Sequence, residues 1–391
     1  MIITGHSEFA RVAVEQKSLI NVLYNYEQLI QENKLGKFPK SKPPGTLLTY
    51  MVIERISNIF IPNADEQQRF QNLTTFSSYL FPFLTYLVLI PLYFFSRRFL
   101  GKRESFYPCI IYLFLPNVVL IVMHLDQALY PLLFMICIAC SAYAVNNNNY
   151  ILSFLTGVLI YFSLFISFSL LPVIPLVFFV LFIFHQKKDS QKKSYITLSK
   201  HILALLGGFI LIMILFYLLF NYNFITRYNN ALLFHEQWKV WTPQPKRVVY
   251  FAFLNYFEYG ICLGITAALI YLLSTIKTIR EACLYSYNQI KNYFRKIIPE
   301  KNEVSKYKPN SIALLSISLV IIFVLLGIFG KTKGETARLW LFLSPLICLI
   351  VTNEIIKRFG EKSYSVLKIL ILLQFITIIA FKINMDFYHY D

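Results

Sequence analysis

Long apolar runs, separated by short polar stretches, fill the chain from about residue 70 onward. A helix needs roughly 20 apolar residues to cross a bilayer, and in lipid a single segment satisfies its backbone polar groups only as a helix. The pattern therefore predicts an all-α, polytopic bundle of about ten transmembrane helices. These spans lie near Gln71–Phe95, Phe106–Met123, Ala128–Val145, Tyr150–Ile166, Ser169–Phe184, Ile202–Tyr222, Phe253–Ile276, Ser311–Phe329, Leu339–Val351 and Val366–Phe381.

The stretch before the first span has a different pattern. Residues 1–69 are polar and mixed, with no signal peptide and no spanning run. Within them, the apolar piece Gly45–Ile61 carries Glu54 and Arg55 in its middle, which is typical of an amphipathic helix at the membrane interface. We therefore divide the chain into an extracytoplasmic juxtamembrane segment, residues 1–69, and one transmembrane domain, residues 70–391.

The composition agrees with a membrane protein. Of the 391 residues, 57% are hydrophobic, and the net charge is +17. Such a charge also suits nucleic-acid binding, but here the basic residues cluster in short loops between apolar runs, as expected of cytoplasmic loops. Cys137 and Cys140 have the spacing of a redox or metal pair, yet in an apolar helix they are better explained by packing.

Basic residues are unevenly shared between the two alternating sets of loops. The richer set is cytoplasmic by the positive-inside rule. The Asp126 connection, the Tyr222–Ala252 loop, the Lys331–Arg338 loop and both termini are then extracytoplasmic. Because residues 1–69 have no signal to export them, we expect a further helix upstream of Met1. The richer loops are Arg97–Arg103, Lys187–Lys200, Lys277–Lys308 and Lys357–Lys362.

A short polar island, His124 to Pro131, separates two apolar runs. Ionisable residues at this depth are costly, so function is the better explanation for Asp126 and His124. Asp126 suits a general base on the outer side. The alternative is that it caps the start of the next helix, a common use of aspartate.

Lys42 precedes Pro43, Pro44 and Gly45 at the start of the predicted interfacial helix. Prolines fix the backbone there, so the lysine is held at a defined height near the headgroups. A lysine suits a phosphate as a point charge. It is equally typical of a side chain that extends to lipid headgroups without further function.

Two further outer loops carry candidate binding residues. The Asn221–Asn255 loop contains Arg247 and two tryptophans, which suit either a membrane-interface belt or stacking on a sugar ring. In the other loop, Lys333 and Glu335 precede Arg338 at the edge of an apolar run. An arginine there needs a carboxylate such as Glu335, or a phosphate that it grips with two hydrogen bonds.

Four motifs together resemble a known family. In order and spacing they are similar to the type C glycosyltransferases, namely the bacterial branch of protein O-mannosyltransferases and aminoarabinose transferases (glycosyltransferase family 39-like). The resemblance covers most of the chain, although each motif is short. The motifs are Lys42-Pro43-Pro44-Gly45, Leu115-Pro116 leading to Asp126-Gln127-x-x-Tyr130-Pro131, Asn255-Tyr256-Phe257-Glu258-Tyr259-Gly260, and Gly334-Glu335-x-x-Arg338-Leu339-Trp340-Leu341-Phe342-x-x-Pro345.

The resemblance implies chemistry on the extracytoplasmic face. Members of this family take a sugar from a polyprenyl-phosphate donor, and their lysine before the prolines contacts the lipid phosphate, which maps to Lys42. Their acid in the second outer loop maps to Asp126. The family begins with a transmembrane helix followed by an acidic motif. Here that helix is absent and Gly5–Arg11 stands in the motif's place, so either Glu8 supplies its carboxylate or that acid lies upstream of Met1.

The predicted function is sugar transfer from a polyprenyl-phosphate donor to an extracytoplasmic glycan, lipid or protein, in a bacterial inner membrane. A carboxylate deprotonates the acceptor while cations stabilise the phosphate. We predict no cofactor and no nucleic-acid partner, and no dense ligand cluster indicates a metal. The assigned residues are Asp126 and Glu8 as catalytic carboxylates, Lys42, Arg338 and Lys333 on the donor phosphate, and His124, Gln127, Tyr130, Glu335 and Arg247 on the substrates.

Two other functions stay open at this point. A flippase or transporter of lipid-linked glycans needs charges near the middle of spans, and the candidate there, Glu258, lies near the end of one. A catalytically inactive, truncated homologue is consistent with the missing first helix. The sequence does not identify the sugar, the acceptor or the oligomeric state.

Overall fold

The computed structural model describes residues 7–59, 64–121, 125–188, 195–238, 245–295, 311–329 and 334–384. Every regular element within these ranges is a helix, and they contain no strand. The predicted all-α class is therefore confirmed.

The N-terminal segment forms short helices that pack on one another and on the transmembrane part. Phe9 and Tyr50 lie in one apolar core with Leu73 from the first predicted span and Leu125 from the polar island His124 to Pro131. The segment and the bundle therefore share a core. Its helices are α1 (Ser7–Glu15), α2 (Leu19–Tyr24), α3 (Tyr26–Gln31), α4 (Lys37–Lys40) and α5 (Gly45–Ser57).

Helix α5 is the apolar piece predicted to lie at the interface. Residues Gly45–Ser57 are helical, whereas the place of this helix at the membrane interface stays a prediction, and Glu54 does not lie on a solvated face. The carboxylate is buried and accepts a hydrogen bond of 2.7 Å from Nε of Arg69. A buried charge is tolerated when it is paired in this way. The pair ties α5 to the start of the first predicted span.

The remaining helices build the bundle. Most follow the apolar runs of the sequence, because each run buries its backbone polar groups within its own helix. They are α6 (Glu66–Tyr86), α7 (Leu89–Ser96), α8 (Tyr107–Leu113), α9 (Pro116–Ile121), α10 (Leu125–Asn146), α11 (Tyr150–Ile166), α12 (Val173–Lys188), α13 (Tyr195–Phe220), α14 (Phe224–Trp238), α15 (Pro245–Cys262), α16 (Ile265–Arg295), α17 (Ser311–Phe329), α18 (Thr336–Leu339), α19 (Ser344–Phe359) and α20 (Ser363–Asn384).

Six helical stretches in the described part of the chain are long and apolar enough to cross a membrane. Helix α13 is one of them, and large apolar side chains such as Leu203 and Leu218 are exposed on it. Exposed apolar surface of this extent is typical of contact with lipid. The chain is therefore a membrane protein, whereas the count of ten spans stays a prediction. The stretches are Glu66–Ser96, Gln127–Asn146, Phe168–Gln186, Tyr195–Phe220, Ser311–Ile328 and Leu341–Asn384.

Several predicted spans are divided between two helices, and two of these divisions bear on the membrane arrangement. The Phe106–Met123 run is divided between α8 and α9. The Phe253–Ile276 run breaks at Gly264, between α15 and α16, where φ is +91°, a value that favours glycine. Nε2 of the buried Gln374 donates a hydrogen bond of 3.3 Å to the carbonyl of Leu263. A side chain on α20 thus satisfies a carbonyl that the break releases.

The contacts sort the loops into two ends of the bundle. At one end the N-terminal segment contacts two helices. Oγ1 of Thr46 donates to the carbonyl of Ile166 at the end of α11, at 2.7 Å. Nη2 of Arg227, near the start of α14, donates to the carbonyl of Lys40, also at 2.7 Å. At the other end Arg98 lies over the ring of Tyr143, 3.6 Å from its centroid. The grouping agrees with the predicted loop sets, and which end faces the cytoplasm stays a prediction.

Candidate functional site

The Lys-Pro-Pro motif follows a short helix, α4, whose start is held by Glu8. The two carboxylate oxygens of Glu8 accept hydrogen bonds of 2.7 Å from the backbone N–H groups of Lys37 and Phe38. These N–H groups begin a helix and have no partner within it. Gly36 allows the close approach: its φ is +71°, and a Cβ there would lie 2.2 Å from Glu8 Oε1. Glu8 therefore acts as the N-terminal cap of α4.

The carbonyl groups at the other end of α4 are held from the opposite side. The Tyr26 hydroxyl donates to the carbonyl of Pro39 at 2.9 Å and also lies 3.4 Å from that of Lys42. Arg227 donates from Nη2 to the carbonyl of Lys40 at 2.7 Å. Burial raises the pKa of Tyr26 above its usual range, and this effect outweighs the charge of Arg227, which lowers the same pKa. The phenol therefore stays protonated and can donate a hydrogen bond.

Lys42 is the predicted phosphate contact. Its side chain is half-buried, and Nζ lies 5.4 Å from the centroid of the Phe9 ring. Phe9 in turn stacks on Tyr50 with 5.9 Å between ring centroids. An ammonium group over an aromatic face is stabilised by the ring quadrupole. The lysine therefore lies in a defined position on the core of the N-terminal segment.

A second turn unites two of the motifs singled out in the sequence. The side-chain oxygen of Asn255 on α15 accepts a hydrogen bond from the backbone N–H of Gly334 at 3.0 Å. The backbone carbonyl of Asn255 accepts a second one from the Thr336 hydroxyl at 2.9 Å. Oε1 of Glu258, one turn further along α15, accepts from the N–H of Ala337 at 3.3 Å. Asparagine and glutamate are acceptors that suit the exposed N–H groups at the start of a helix, here α18.

Arg338 has the carboxylate partner that its sequence position predicts. Its Nη2 lies 2.6 Å from Oε2 of Glu335, with the arginine side chain 20% and the glutamate 39% exposed. The turn places Glu335 in the left-handed backbone region, at φ +59°. A partly exposed ion pair keeps a guanidinium oriented at modest cost. The Arg338 side chain is thus mostly buried and paired, with a fifth of its surface exposed at the turn.

The start of α10 packs on the N-terminal segment. Leu125 and Ala128 belong to the core of the N-terminal segment, while the preceding helix α9 packs against α18. Asp126 is the second residue of α10, inside the first helical turn rather than at the predicted N-cap before Ala128. Gln127 and Tyr130 are 2% and 3% exposed, so they face the protein interior.

The remaining predicted site residues are Arg247, His124, Lys333 and Asp126. Arg247 is exposed near the start of α15. His124, Lys333 and the side chain of Asp126 lie outside the described residues. Within the described ranges, no three His, Cys, Asp or Glu residues are grouped so that they could hold a metal ion. The structure thus brings together Glu8 with the Lys42 turn, and Glu335 with Arg338.

Sequence reasoning missed the role of two residues. Tyr26 is one of 27 tyrosines, and nothing in its local sequence distinguishes it. Arg227 carries a weak signal, as a basic residue just after an apolar run on the side of the membrane where such residues are sparse. Both residues act on backbone carbonyls, and side-chain motifs do not reveal such contacts.

No family model, curated protein or solved structure matches the chain. The resemblance to the type C glycosyltransferases therefore rests on the four sequence motifs. Three of them are placed by the contacts above: the Lys-Pro-Pro turn, the Asn255–Gly260 motif and the Gly334–Arg338 turn.

Proposed function

We propose that this protein is a membrane glycosyltransferase that moves a sugar from a polyprenyl-phosphate donor to an extracytoplasmic acceptor. One observation supports the proposal most. The turn that carries Lys42 is held by Glu8, Tyr26 and Arg227, which come from three separate helices. A cation that must meet a phosphate gains affinity and rate from being fixed beforehand.

The cations of the two turns would act on the donor phosphate. Lys42 supplies a point charge, whereas Arg338 offers a planar fork that can meet two phosphate oxygens at once. Charge grows on the phosphate as the bond to the sugar breaks, so these contacts stabilise the transition state more than the ground state. Lys333, five residues before Arg338, is proposed as a further contact of the same phosphate.

The carboxylate that activates the acceptor is proposed to be Asp126. Both carboxylate oxygens of Glu8 already accept backbone hydrogen bonds, so in this conformation Glu8 serves the turn. Asp126 would remove the proton of the acceptor hydroxyl while this oxygen attacks the anomeric carbon, and the polyprenyl phosphate leaves. The proposed substrate contacts are His124, Gln127, Tyr130, Glu335 and Arg247.

The proposed membrane arrangement keeps ten crossings in a bacterial inner membrane. The interrupted runs, α8 with α9 and α15 with α16, count as one crossing each. A break inside a membrane is tolerated where protein groups satisfy the backbone, as Gln374 does at Leu263. The Lys42 and Arg338 turns then lie together on the extracytoplasmic side.

Donor consumption tests the proposal. The purified chain, in vesicles of phosphatidylethanolamine and phosphatidylglycerol, is given decaprenyl-phosphate donors with radiolabelled mannose, glucose or arabinose. Release or transfer of label is expected with at least one donor, and about ten- to a hundredfold less with Lys42→Met, because a charge-assisted contact is lost. Arg55→Met is the matched control, since Arg55 donates to Lys17 O, away from the turn.

The same vesicles separate the other functions. Movement of intact donor between the leaflets, without release of label, would overturn the transferase and favour a flippase. Tight donor binding with neither release nor movement would favour an inactive homologue.

A further inference from the structure

Arg227 is a fully buried arginine near the start of α14, with only 1% of its surface exposed. Within the described residues its guanidinium donates one hydrogen bond, from Nη2 to the carbonyl of Lys40 at 2.7 Å. Its Nη1 lies 3.1 Å from Oε1 of Glu27, whose side chain is 38% exposed. Oε2 of Glu27 accepts from Asn230 on the same helix as Arg227, at 2.9 Å. The arginine thus joins α14 to α3 and to the end of α4.

Stability alone is a weak reason for this arrangement. A guanidinium has five N–H donors, and here its Nε and Nη1 atoms are buried without a hydrogen-bond acceptor among the described residues. Removing a cation from water costs several kcal/mol, which an ion pair often fails to recover. The value of Arg227 is therefore better sought in the backbone group that it fixes.

That backbone group belongs to the turn before Pro43. Arg227 holds the carbonyl of Lys40, while Tyr26, whose ring lies 5.7 Å below the guanidinium, holds that of Pro39. The turn's own backbone hydrogen bonds are longer, 3.1 Å from Ser41 N to Phe38 O and 3.2 Å from Lys42 N to Pro39 O, and the Ser41 hydroxyl donates to Phe38 O at 2.9 Å. These bonds do not involve the carbonyl of Lys40, which Arg227 holds from outside the turn.

We infer that Arg227 is a positioning residue: through the carbonyl of Lys40 it fixes Lys42 for the phosphate of a polyprenyl-phosphate ligand. This inference rests on the proposed function. With 1% of its surface exposed, Arg227 does not itself meet the ligand. Helix α14 thereby becomes the element that keeps the phosphate-binding turn in its competent conformation.

A double-mutant cycle tests whether Arg227 acts through Lys42. Binding of decaprenyl phosphate is measured for the parent in vesicles, for Arg227→Met, for Lys42→Met and for the double variant. Arg227→Met is expected to weaken binding about tenfold, since a misplacement near 1 Å costs up to about a hundredfold in a fixed site. The double variant is expected to bind no more weakly than Lys42→Met, because coupled residues are not additive. Multiplied losses would overturn the inference.

Two further variants keep the test decisive. Arg227→Lys retains the charge and one donor, so it is expected to bind more tightly than Arg227→Met. An equal loss in both would overturn the role of the Lys40 hydrogen bond. Arg55→Met removes an exposed arginine that donates to the carbonyl of Lys17 at 3.0 Å, and is expected to bind like the parent.

Amide hydrogen exchange separates this inference from the proposed function. In Arg227→Met the N–H groups of Ser41 and Lys42 are expected to exchange about tenfold faster than in the parent, with no such change in Arg55→Met. Unchanged exchange would overturn the support of the turn, whatever the binding result. A parent that does not bind decaprenyl phosphate would instead overturn the proposed function, and with it the role of Arg227 toward the ligand.

Discussion

Replacing Glu8 with glutamine distinguishes a helix cap from a catalytic carboxylate. Both oxygens of Glu8 accept N–H groups, those of Lys37 and Phe38, at 2.7 Å each. Glutamine keeps the shape of the side chain and one acceptor. Its NH₂ group then faces the second N–H, so one charge-assisted hydrogen bond is lost and two donors oppose each other.

The size of the effect follows from the surroundings of these bonds. Losing a hydrogen bond to a charged group costs about 1.5–3 kcal/mol. The bond to Lys37 is exposed to solvent, so the lower end of this range applies to Glu8. A loss of about 1.4 kcal/mol is a tenfold change in an equilibrium. We therefore expect the start of α4 to open about ten times more often in Glu8→Gln.

Amide hydrogen exchange at Lys37 and Phe38 measures this opening directly. Glu15→Gln is the matched control, because Glu15 is an exposed carboxylate on the same helix. Sugar transfer is measured on the same samples. Glu8→Gln with parental exchange but a hundredfold loss of transfer would refute the cap and make Glu8 the catalytic acid.

Three other predictions use the same preparation. Asp126→Asn is expected to fold and insert normally yet to lose about a hundredfold in transfer, within the range for removing a general base, and near-parental transfer would leave Asp126 a structural residue. Lys42→Met is expected to weaken binding of decaprenyl phosphate by about ten- to a hundredfold, and parental binding would reduce Lys42 to an interfacial anchor. Cysteines placed at Glu236 and Glu335 in a cysteine-free chain are expected to react with an impermeant thiol reagent in intact cells, whereas labelling of the Lys187–Lys193 loop would invert the topology.

Hydropathy predicts some helices to the residue and misses others. The ends of α11 (Tyr150–Ile166) agree with the prediction, because this helix is a continuous apolar run with polar residues before it, and the whole described stretch 311–329 is helical. The break at Gly264 is not visible in the same way, since the run stays apolar across it. Gln374, whose side chain supports this break, lies 111 residues after Leu263 in the sequence. A sequence window does not contain that information.

The site was predictable where its contacts are local. Arg338 and Glu335 are three residues apart, so a short turn is enough to bring the predicted pair together. Glu8 lies 29 residues from Lys37, and Arg227 lies 187 residues from Lys40. Their residue types are ordinary for outer loops, and the backbone groups that they bind have no sequence signature. Such contacts follow only from the fold.

The long reach of the Arg227 contact has a consequence for biosynthesis. The residues that it joins are 187 positions apart, so the ribosome completes most of the first half of the bundle between them. At about 5–20 residues per second, this interval lasts roughly 10–40 s. Throughout that time a nascent Lys40 lacks its guanidinium partner, although Glu8 and Tyr26 have already been translated. The Lys-Pro-Pro turn therefore gains its full set of contacts only after α14 has been translated and has docked.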